Sequence, residues 1–246
     1  MSKALPRPAK RTRQKLVNGV ILHEGSDFVA IATGITNPSS NEKTGGMVQV
    51  WIIHRHLHPN QASALGADEV ICGNCPHRHS LGGGCYVVLH QAPANVYRAY
   101  HAGSYAPPSM LPIYIQAIKR RRLKIRFGAY GDPSLIPPKL INDLIDASAG
   151  HTGYTHQWRN NLHLAGLFHA SVDNLTEKLE AELLGFKTFR VADHDAKPLR
   201  DEAICPATLV DYIQCIDCGM CDGSTKSAMV HAHGQRVNRV LQTVAA

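Results

Sequence analysis

The chain has 246 residues, of which 44% are hydrophobic and 18% are charged. Such a chain is long and apolar enough to bury a sizeable core, which excludes an intrinsically disordered protein. It has no apolar run that approaches a membrane span, and its basic first 15 residues lack the apolar segment of a secretory signal. Seven cysteines without an export signal indicate the reducing cytosol of a cell.

The basic residues are clustered as well as numerous. The net charge is +7 and the isoelectric point is near 9.1, so an anionic partner is expected, and nucleic acid comes first because phosphate contacts need little besides positive charge. The alternative is a solvated tail and a solvated helix end. One cluster contains Arg7, Lys10, Arg11, Arg13 and Lys15, and the other contains Lys119, Arg120, Arg121, Arg122, Lys124 and Arg126.

Secondary structure follows from hydrophobic periodicity and from glycine and proline positions. Residues 1–15 form a flexible basic arm, and residues 16–246 form one domain whose segment 205–233 binds metal. The predicted strands are 17–22, 28–32, 47–53, 86–89, 123–128, 153–158, 167–172, 187–191, 203–205 and 230–233. The predicted helices are 61–66, 94–101, 111–121, 138–149, 176–184 and 237–244.

From residue 123 onward, strands and helices alternate. Alternation of this kind is typical of a parallel sheet that is covered or closed by helices. With six to eight strands in the chain, the α/β class and a small or incomplete TIM-like barrel are predicted, with a cysteine-rich metal site near the C-terminus. An open doubly wound sheet is the second choice.

The C-terminal cysteines have the spacing of metal ligands. Cys215, Cys218 and Cys221 form C-x2-C-x2-C, and Cys205 precedes a proline nine residues upstream of the run. Three thiolates can converge on one ion or cluster within a tight turn, and Cys205 can complete the shell. Zinc fits four thiolates, and a [4Fe–4S] cluster fits as well. His231 or His233 could replace Cys205 in a Cys3His zinc site.

A second cysteine set is spaced C-x2-C-x9-C. Cys72, Cys75 and Cys85 could hold a metal with one open position, or they could recruit a histidine. The candidate histidines are His77, His79 and His90. The alternative is a loop with incidental thiols.

Four aspartates follow predicted strands directly: Asp132, Asp173, Asp193 and Asp195. In a barrel, residues at the carboxyl ends of strands line the active-site mouth, where a carboxylate can act as nucleophile or as general acid–base. We predict that Asp132 attacks the substrate and that Asp173 handles the proton. Turn formation by Asp132 and helix capping by Asp173 are the structural alternatives.

The segment 152–159 is rich in aromatic and hydrogen-bonding side chains. Such side chains suit stacking on a nucleic-acid base and reading its edge. The alternative is aromatic packing within a half-buried strand. The candidate substrate-binding residues are Tyr154, His156, Gln157, Trp158 and Arg159.

Several short sequence motifs, taken together, resemble those of a family of small phage-encoded proteins. They lie at 41–45, 72–76, 84–87, 126–133, 152–159, 170–173 and 189–191 and in the C-terminal cysteine run with Cys205-Pro206. This family is similar to phage DNA-guanine transglycosylases of the DpdA type, which are relatives of tRNA-guanine transglycosylase. The tRNA enzyme has C-x-C-x2-C where this chain has C-x2-C-x2-C.

The resemblance implies a barrel with a zinc site and replacement of guanine by a 7-deazaguanine in phage DNA, which protects that DNA from restriction in the host cytoplasm. Arg190 lies in the resembling motif at 189–191 and is added to the candidate substrate-binding residues. Two alternatives stay open: an iron–sulfur enzyme, for example of the radical type, and a non-catalytic zinc-stapled protein that binds nucleic acid.

Overall fold

The computed structural model describes residues 16–233 and 236–244. These residues form ten strands: β1 (Gly19–Glu24), β2 (Phe28–Thr33), β3 (Val48–His54), β4 (Ile125–Tyr130), β5 (His151–Thr152), β6 (Tyr154–Thr155), β7 (His169–Val172), β8 (Thr188–Ala192), β9 (Glu202–Ile204) and β10 (Ser227–His231). They also form nine α-helices: α1 (Pro59–Ala64), α2 (Glu69–Cys72), α3 (Ala92–His101), α4 (Leu111–Arg121), α5 (Pro138–Ala147), α6 (Leu175–Leu183), α7 (Pro206–Leu209), α8 (Cys215–Cys218) and α9 (Val237–Val244).

The strands form two five-stranded sheets. The first has the order β1-β2-β3-β4-β5, in which β1, β2 and β3 are antiparallel and β3, β4 and β5 are parallel. The second has the order β6-β7-β8-β10-β9 and is parallel throughout. Parallel strands need crossover connections, and helices lie in those from β3 to β4, from β4 to β5 and from β7 to β8.

A single glycine separates the two sheets. Gly153 lies between β5 and β6; its N–H donates to the carbonyl of Cys221, and its carbonyl accepts from the N–H of His169. A Cβ atom at this position would lie 2.7 Å from the ring of Phe168. Close packing on Phe168 therefore requires glycine here, at the point where the chain leaves one sheet and enters the other.

The core forms where apolar strand faces meet the helices. Ile125 and Phe127 alternate along β4 and are fully buried together with Phe168, and α5 adds Ile141 and Leu144 from one of its faces. Burial of such side chains is the main favourable term in folding. The opposite face of β4 carries Arg126, so a charged side chain lies on the face of this strand that points away from Ile125 and Phe127.

The α/β class is confirmed, whereas the described strands form two open sheets and no closed barrel. The predicted strand 86–89 is wrong: these residues are irregular, and Tyr86 is 57% exposed. Within the predicted strand 153–158, only Tyr154–Thr155 (β6) is a strand, and a 3-10 turn at Trp158–Asn160 follows it. The last predicted helix is present as α9.

Within the part of the chain that the structure describes, no helix has the length and apolarity that crossing a lipid bilayer would require.

Candidate functional site

Three polar side chains lie directly after parallel strands. Asp132 follows β4 by two residues, His156 follows β6, and Asp173 follows β7. The carboxyl ends of parallel strands meet at one edge of a sheet, where α/β proteins commonly bind ligands. The prediction that Asp132 and Asp173 follow strands is confirmed.

Asp132 is held by a set of hydrogen bonds. Its Oδ1 accepts from the hydroxyl of Thr155 at 2.7 Å and from the N–H of Ser134 at 3.0 Å, and its Oδ2 accepts from the N–H of His156 at 2.9 Å. The preceding Gly131 has φ +77°, and a Cβ atom there would lie 2.5 Å from the carbonyl oxygen of Ile52. This buried carboxylate therefore fixes the start of the segment that carries His156.

Asp173 lies between two imidazoles. Its Oδ1 is 2.6 Å from His77 Nε2, and its Oδ2 is 3.7 Å from His156 Nε2. The Asp173 N–H donates to Glu177 Oε2 at 2.8 Å, which ties the carboxylate to the first turn of α6. Asn174, rather than Asp173, caps that helix by accepting from the Glu177 N–H. The carboxylate of Asp173 is thus available to the histidines.

The charges of this group reinforce one another. Burial opposes ionisation of Asp173, but the nearby His156 imidazole and the hydrogen bond from His77 outweigh it and lower the pKa of Asp173. Burial would lower the pKa of His156, yet the Cys75 thiol and Asp173 raise it well above its usual range. At neutral pH an imidazolium and a carboxylate therefore face each other.

Two ring nitrogens of this group lack partners. His77 Nδ1 and His156 Nε2 are buried and make no hydrogen bond among the described residues. Because unsatisfied buried polar atoms are rare, such atoms point to a ligand, an ion or a proton transfer at the site. A cavity of about 200 Å³ opens beside them and is lined by Asn74, His156, Ser171, Asp173 and Glu177, among others.

The same group has metal-binding geometry. One donor atom each from His77, His156 and Asp173 all lie within 4.8 Å of one another, and within residues 16–233 and 236–244 no other set of three or more His, Cys, Asp or Glu side chains meets this criterion. Two imidazoles and a carboxylate form a common catalytic ligand set for a transition-metal ion.

The three thiols of the second cysteine set lie beside this group. The pKa of Cys72 is raised well above its usual range by burial and then by Cys75 and Cys85, and burial raises the pKa of Cys85 to about 11. Cys75 also interacts with His156. The Cys75 N–H donates to the Cys72 carbonyl at 3.3 Å and the Cys85 N–H to the His77 carbonyl at 3.0 Å, so the three cysteines border the loop that carries His77, although their Sγ atoms do not all lie within 4.8 Å of one another.

The four C-terminal cysteines are half-buried and lie in or beside the packed helices α7 and α8, but no three of their Sγ atoms lie within 4.8 Å of one another. Burial raises the pKa of Cys221, and the charges of Cys205, Cys215 and Cys218 raise it further. The segment is tied to the first sheet through hydrogen bonds from the N–H of Cys215 to the Lys43 carbonyl and from the N–H of Gly153 to the Cys221 carbonyl. Thiols so placed raise one another's pKa, which a bound cation would reverse.

The two histidines considered as replacements for Cys205 have other contacts. His231 Nε2 lies 3.0 Å from the Ala196 carbonyl, and His233 Nδ1 lies 2.8 Å from the His231 carbonyl. His231 also stacks on His194. Neither the four-thiol set nor a Cys3His set has donor atoms that all lie within 4.8 Å of one another in the described residues.

The predicted base-binding residues have diverse surroundings. Trp158 is 1% exposed and donates from Nε1 to the Ser171 carbonyl, so it belongs to the core. Arg159 lies 4.0 Å from the Trp158 ring centroid and pairs with Glu180. Gln157 donates to the Cys72 carbonyl at 2.9 Å, which positions the cysteine loop.

Tyr154 and Arg190 are also held by other residues. Tyr154 stacks on Phe189 with ring centroids 4.7 Å apart. Arg190 forms two hydrogen bonds with Glu202, at 2.7 and 2.6 Å. Of the six predicted substrate-binding residues, His156 lies closest to the reactive group, and both Trp158 and Arg159 line the cavity.

The predicted nucleic-acid contacts fall into two groups. Arg11 and Arg13 lie outside the described residues. Lys119, Arg120 and Arg122 are exposed at the end of α4, and Arg121 is exposed but donates to the Ile35 carbonyl. Lys124 is half-buried and donates to the Ile216 carbonyl at 2.5 Å, so it holds the C-terminal cysteine segment.

The contact of His77 with Asp173 is a feature that the sequence analysis did not predict. His77 entered that analysis only as a possible ligand beside Cys72, Cys75 and Cys85. The signal in the sequence is its position two residues after Cys75, in the loop that follows α2. This loop belongs to the crossover connection between β3 and β4, and the course of that connection brings it over the end of β7.

Comparison of the chain with protein-family models, with curated proteins and with solved structures gave no significant match.

Proposed function

We propose that the protein exchanges a base in DNA, replacing guanine by a 7-deazaguanine, at the group formed by Asp132, His156 and Asp173. The single observation that carries this proposal is that both carboxylates contact His156. Asp132 Oδ2 accepts from the backbone N–H of His156 at 2.9 Å, and Asp173 Oδ2 lies 3.7 Å from the ring Nε2 of His156. A carboxylate nucleophile beside a charged imidazole is suited to substitution at a sugar carbon.

The geometry assigns different roles to the two carboxylates. Both oxygens of Asp132 already accept hydrogen bonds, so Asp132 positions His156. Asp173 lines the cavity, and its Oδ2 has no close hydrogen bond. We therefore assign the nucleophilic attack to Asp173, the proton to His156 and the orientation of Asp173 to His77.

The reaction proceeds in two balanced steps. Asp173 Oδ2 forms a bond to the sugar C1′ while the C1′–N bond of guanine breaks; its electron pair stays on the base, which takes a proton from the His156 imidazolium. The glycosidic nitrogen of the incoming 7-deazaguanine then attacks C1′, the bond to Asp173 breaks, and the nitrogen's proton passes to His156. Flipping of the target base into the site is required first.

Positive charge supports DNA as the partner. The exposed Lys119, Arg120 and Arg122 lie at the carboxyl end of α4, and the net charge is +7. Phosphate contacts of this kind position a duplex without reading its sequence.

The small or incomplete barrel that the sequence predicts also stays a proposal. The parallel strands between β3 and β8 support it.

The four C-terminal thiols would hold a structural metal, either zinc or a [4Fe–4S] cluster. The C-x2-C-x2-C spacing and the half-burial of all four cysteines support this proposal, and the Sγ atoms would have to move closer together to share one ion, since no three of them lie within 4.8 Å. The metal would fasten the segment 205–221 to the first sheet. The chain's own contribution is the pair of backbone hydrogen bonds from Cys215 and Gly153.

An exchange assay tests the proposal. Duplex DNA with radiolabelled guanine is incubated with the protein and an unlabelled 7-deazaguanine base, and release of labelled guanine is measured. We expect release with the wild-type protein and with Asp193→Asn, a matched control at the exposed end of β8, but not with Asp173→Asn. Equal release by Asp173→Asn and wild type would refute the assignment.

A second candidate function is metal-dependent hydrolysis, and one observation favours it: the donor atoms of His77, His156 and Asp173 lie within 4.8 Å of one another. These residues would hold the ion, with the cavity side left for water or substrate. A divalent ion in such a site lowers the pKa of bound water. In this case His77 binds the metal directly, and Asp173 is not a nucleophile.

Metal analysis separates the two candidates. Under metal-dependent hydrolysis, His77→Ala removes one equivalent of transition metal and abolishes activity, and a chelator does the same to the wild-type protein. Under base exchange, His77→Ala leaves the metal content unchanged, and activity survives chelation of any ion at this group. The total metal content of each variant is measured, so that metal held by the four C-terminal thiols can be distinguished from metal held by His77, His156 and Asp173.

A further inference from the structure

A cavity of about 420 Å³ lies apart from the candidate active site. It opens between the residues that begin β4 and β5 and the segment 215–224. None of its lining residues belongs to the group formed by His77, His156 and Asp173. Small-molecule sites in proteins commonly have volumes of about 300–1,000 Å³, so this cavity is large enough for a ligand of its own.

Lys124 brings a positive charge to the wall of this cavity. It directly precedes β4 and is half-buried, and its ammonium donates to the Ile216 carbonyl at 2.5 Å. An ammonium has three N–H donors, so that carbonyl engages one of them. The ion pairs of the described residues join Lys139 and Lys178 to carboxylates, but they include none for Lys124.

The carboxylate among the lining residues is already engaged elsewhere. Asp222 accepts from the N–H groups of Ser224 and Thr225 at 2.8 Å each and from the Thr225 hydroxyl at 2.6 Å. These bonds hold its oxygen atoms within its own turn, as is common for aspartate. The ammonium of Lys124 therefore lacks a direct anionic partner within the part of the chain that the structure describes.

A buried hydroxyl on the same wall also lacks a partner. Thr152 is 7% exposed and lines the cavity, and its hydroxyl makes no hydrogen bond within residues 16–233 and 236–244. The hydroxyl of Thr155, in contrast, donates to Asp132 at 2.7 Å. Because buried polar groups rarely lack partners, this hydroxyl indicates that a polar molecule occupies the cavity.

The remaining chemistry of the wall is partly apolar, with Met47, Ile145 and Leu167 among the lining residues. We propose that the cavity binds a small organic anion, whose phosphate or carboxylate group is held by Lys124 and Thr152 and whose apolar part contacts these three side chains. Hydrogen bonds between an ammonium and an oxyanion are among the strong ones in proteins. The inference goes beyond base exchange, and it requires neither DNA nor a metal.

Two probes test the proposal and distinguish the anionic groups. Phenyl phosphate and benzoate are each titrated into ¹⁵N-labelled full-length protein, and amide signals are followed by NMR. We expect saturable shifts at Gly150, Thr152 and Gly219, and the probe that binds more tightly identifies the preferred group. Benzyl alcohol has a similar ring without the charge and should bind about tenfold more weakly, because the charge-assisted hydrogen bond is lost.

Substitutions on the cavity wall complete the test. Lys124→Gln should weaken binding of the preferred probe by about tenfold or more, and Thr152→Val, which keeps the shape of the side chain, by about threefold or more. Lys139→Gln makes the same change of charge on the surface of α5 and should bind as the wild type does.

Three outcomes would overturn the proposal. They are the absence of saturable shifts at the cavity amides, equal binding of benzyl alcohol and the two anions, and wild-type affinity in Lys124→Gln. If Lys124→Gln does not fold, wild-type affinity in Thr152→Val contradicts the proposal instead. Because no outcome depends on guanine release, failure of base exchange and failure of anion binding are separate results.

Discussion

His77 and Asp173 are 96 residues apart in the chain, yet His77 Nε2 lies 2.6 Å from Asp173 Oδ1. The bond connects the loop after α2 to the end of β7, and through Asp173 it connects both to His156. A histidine held by a buried carboxylate has a defined orientation. The predictions below begin from this group.

Asp173→Asn should abolish base exchange while DNA binding persists. Asparagine fills the same space but is neither a nucleophile nor a counter-charge for His156. Loss of a catalytic group of this kind typically lowers the rate by about 10²-fold or more. Guanine release and DNA affinity are measured on the same preparation. Equal losses of binding and of rate would place Asp173 in DNA recognition and contradict this prediction.

Asp132→Asn should destabilise the protein and displace His156. The side chain of Asp132 accepts three hydrogen bonds, two of them from backbone N–H groups, and an amide nitrogen would oppose one of these donors. Loss of a hydrogen bond that leaves a buried polar group without a partner lowers the free energy of unfolding by about 1–3 kcal/mol. Urea unfolding measures this change. Asp143→Asn on α5, where Asp143 pairs with Lys139 at the surface, is the control and should change stability little.

The pair of Asp173 and His156 should make stability depend on pH in metal-free protein. The pKa of Asp173 is lowered on folding, so its contribution is present above the unfolded value of about 3.9 and is lost as the pH falls through the folded pKa. The pKa of His156 is raised, so its contribution is complete below about 6.5 and is lost as the pH rises through the folded pKa. The joint contribution is therefore largest between about pH 4 and 6.5.

Thermal unfolding of wild type and His156→Gln across this pH range checks the expectation. The difference in Tm should be greatest near pH 5–6, within the window set by the two unfolded values of about 3.9 and 6.5, and should shrink toward alkaline pH. A difference that grows steadily with pH would show that His156 is neutral in the folded protein.

Removal of the metal proposed at the four C-terminal cysteines should loosen the segment around them. Cys218→Ser, or treatment with a strong chelator, should lower Tm and make residues 206–222 sensitive to protease, because metal binding is coupled to the local fold. Met220 lies between two of the cysteines but is not a proposed ligand, so Met220→Leu serves as the control. Identical proteolysis patterns with and without metal would be evidence against a structural centre.

Neutralising the exposed end of α4 should weaken DNA binding in a salt-dependent way. Substitution of Lys119, Arg120 and Arg122 by Gln should reduce the slope of log affinity against log salt by about one for each phosphate that the variant no longer neutralises. Fluorescence anisotropy with labelled duplex at several salt concentrations measures this slope. Lys139→Gln on α5 is the control, and an unchanged slope in the triple variant would locate the DNA-binding surface elsewhere.

Local patterns predicted much of this protein. The position of Asp132 and Asp173 after strands and the presence of both strands and helices are readable from short stretches, because periodicity is a local property. The residue types of 152–159 were readable in the same way. Their environment was not: Trp158 became a core residue because Ser171, on a neighbouring strand, accepts its indole N–H.

Tertiary structure decided what the same residues do. The sequence by itself determined the α/β class, the residues at the strand ends and the two cysteine sets. Only the packing of the whole chain decided that the sheets stay open, and that Asp132 holds backbone N–H groups while Asp173 meets His77 and His156. The physical reason is that charge and hydrogen bonding act over a few ångströms, and chain topology sets which distant residues come that close.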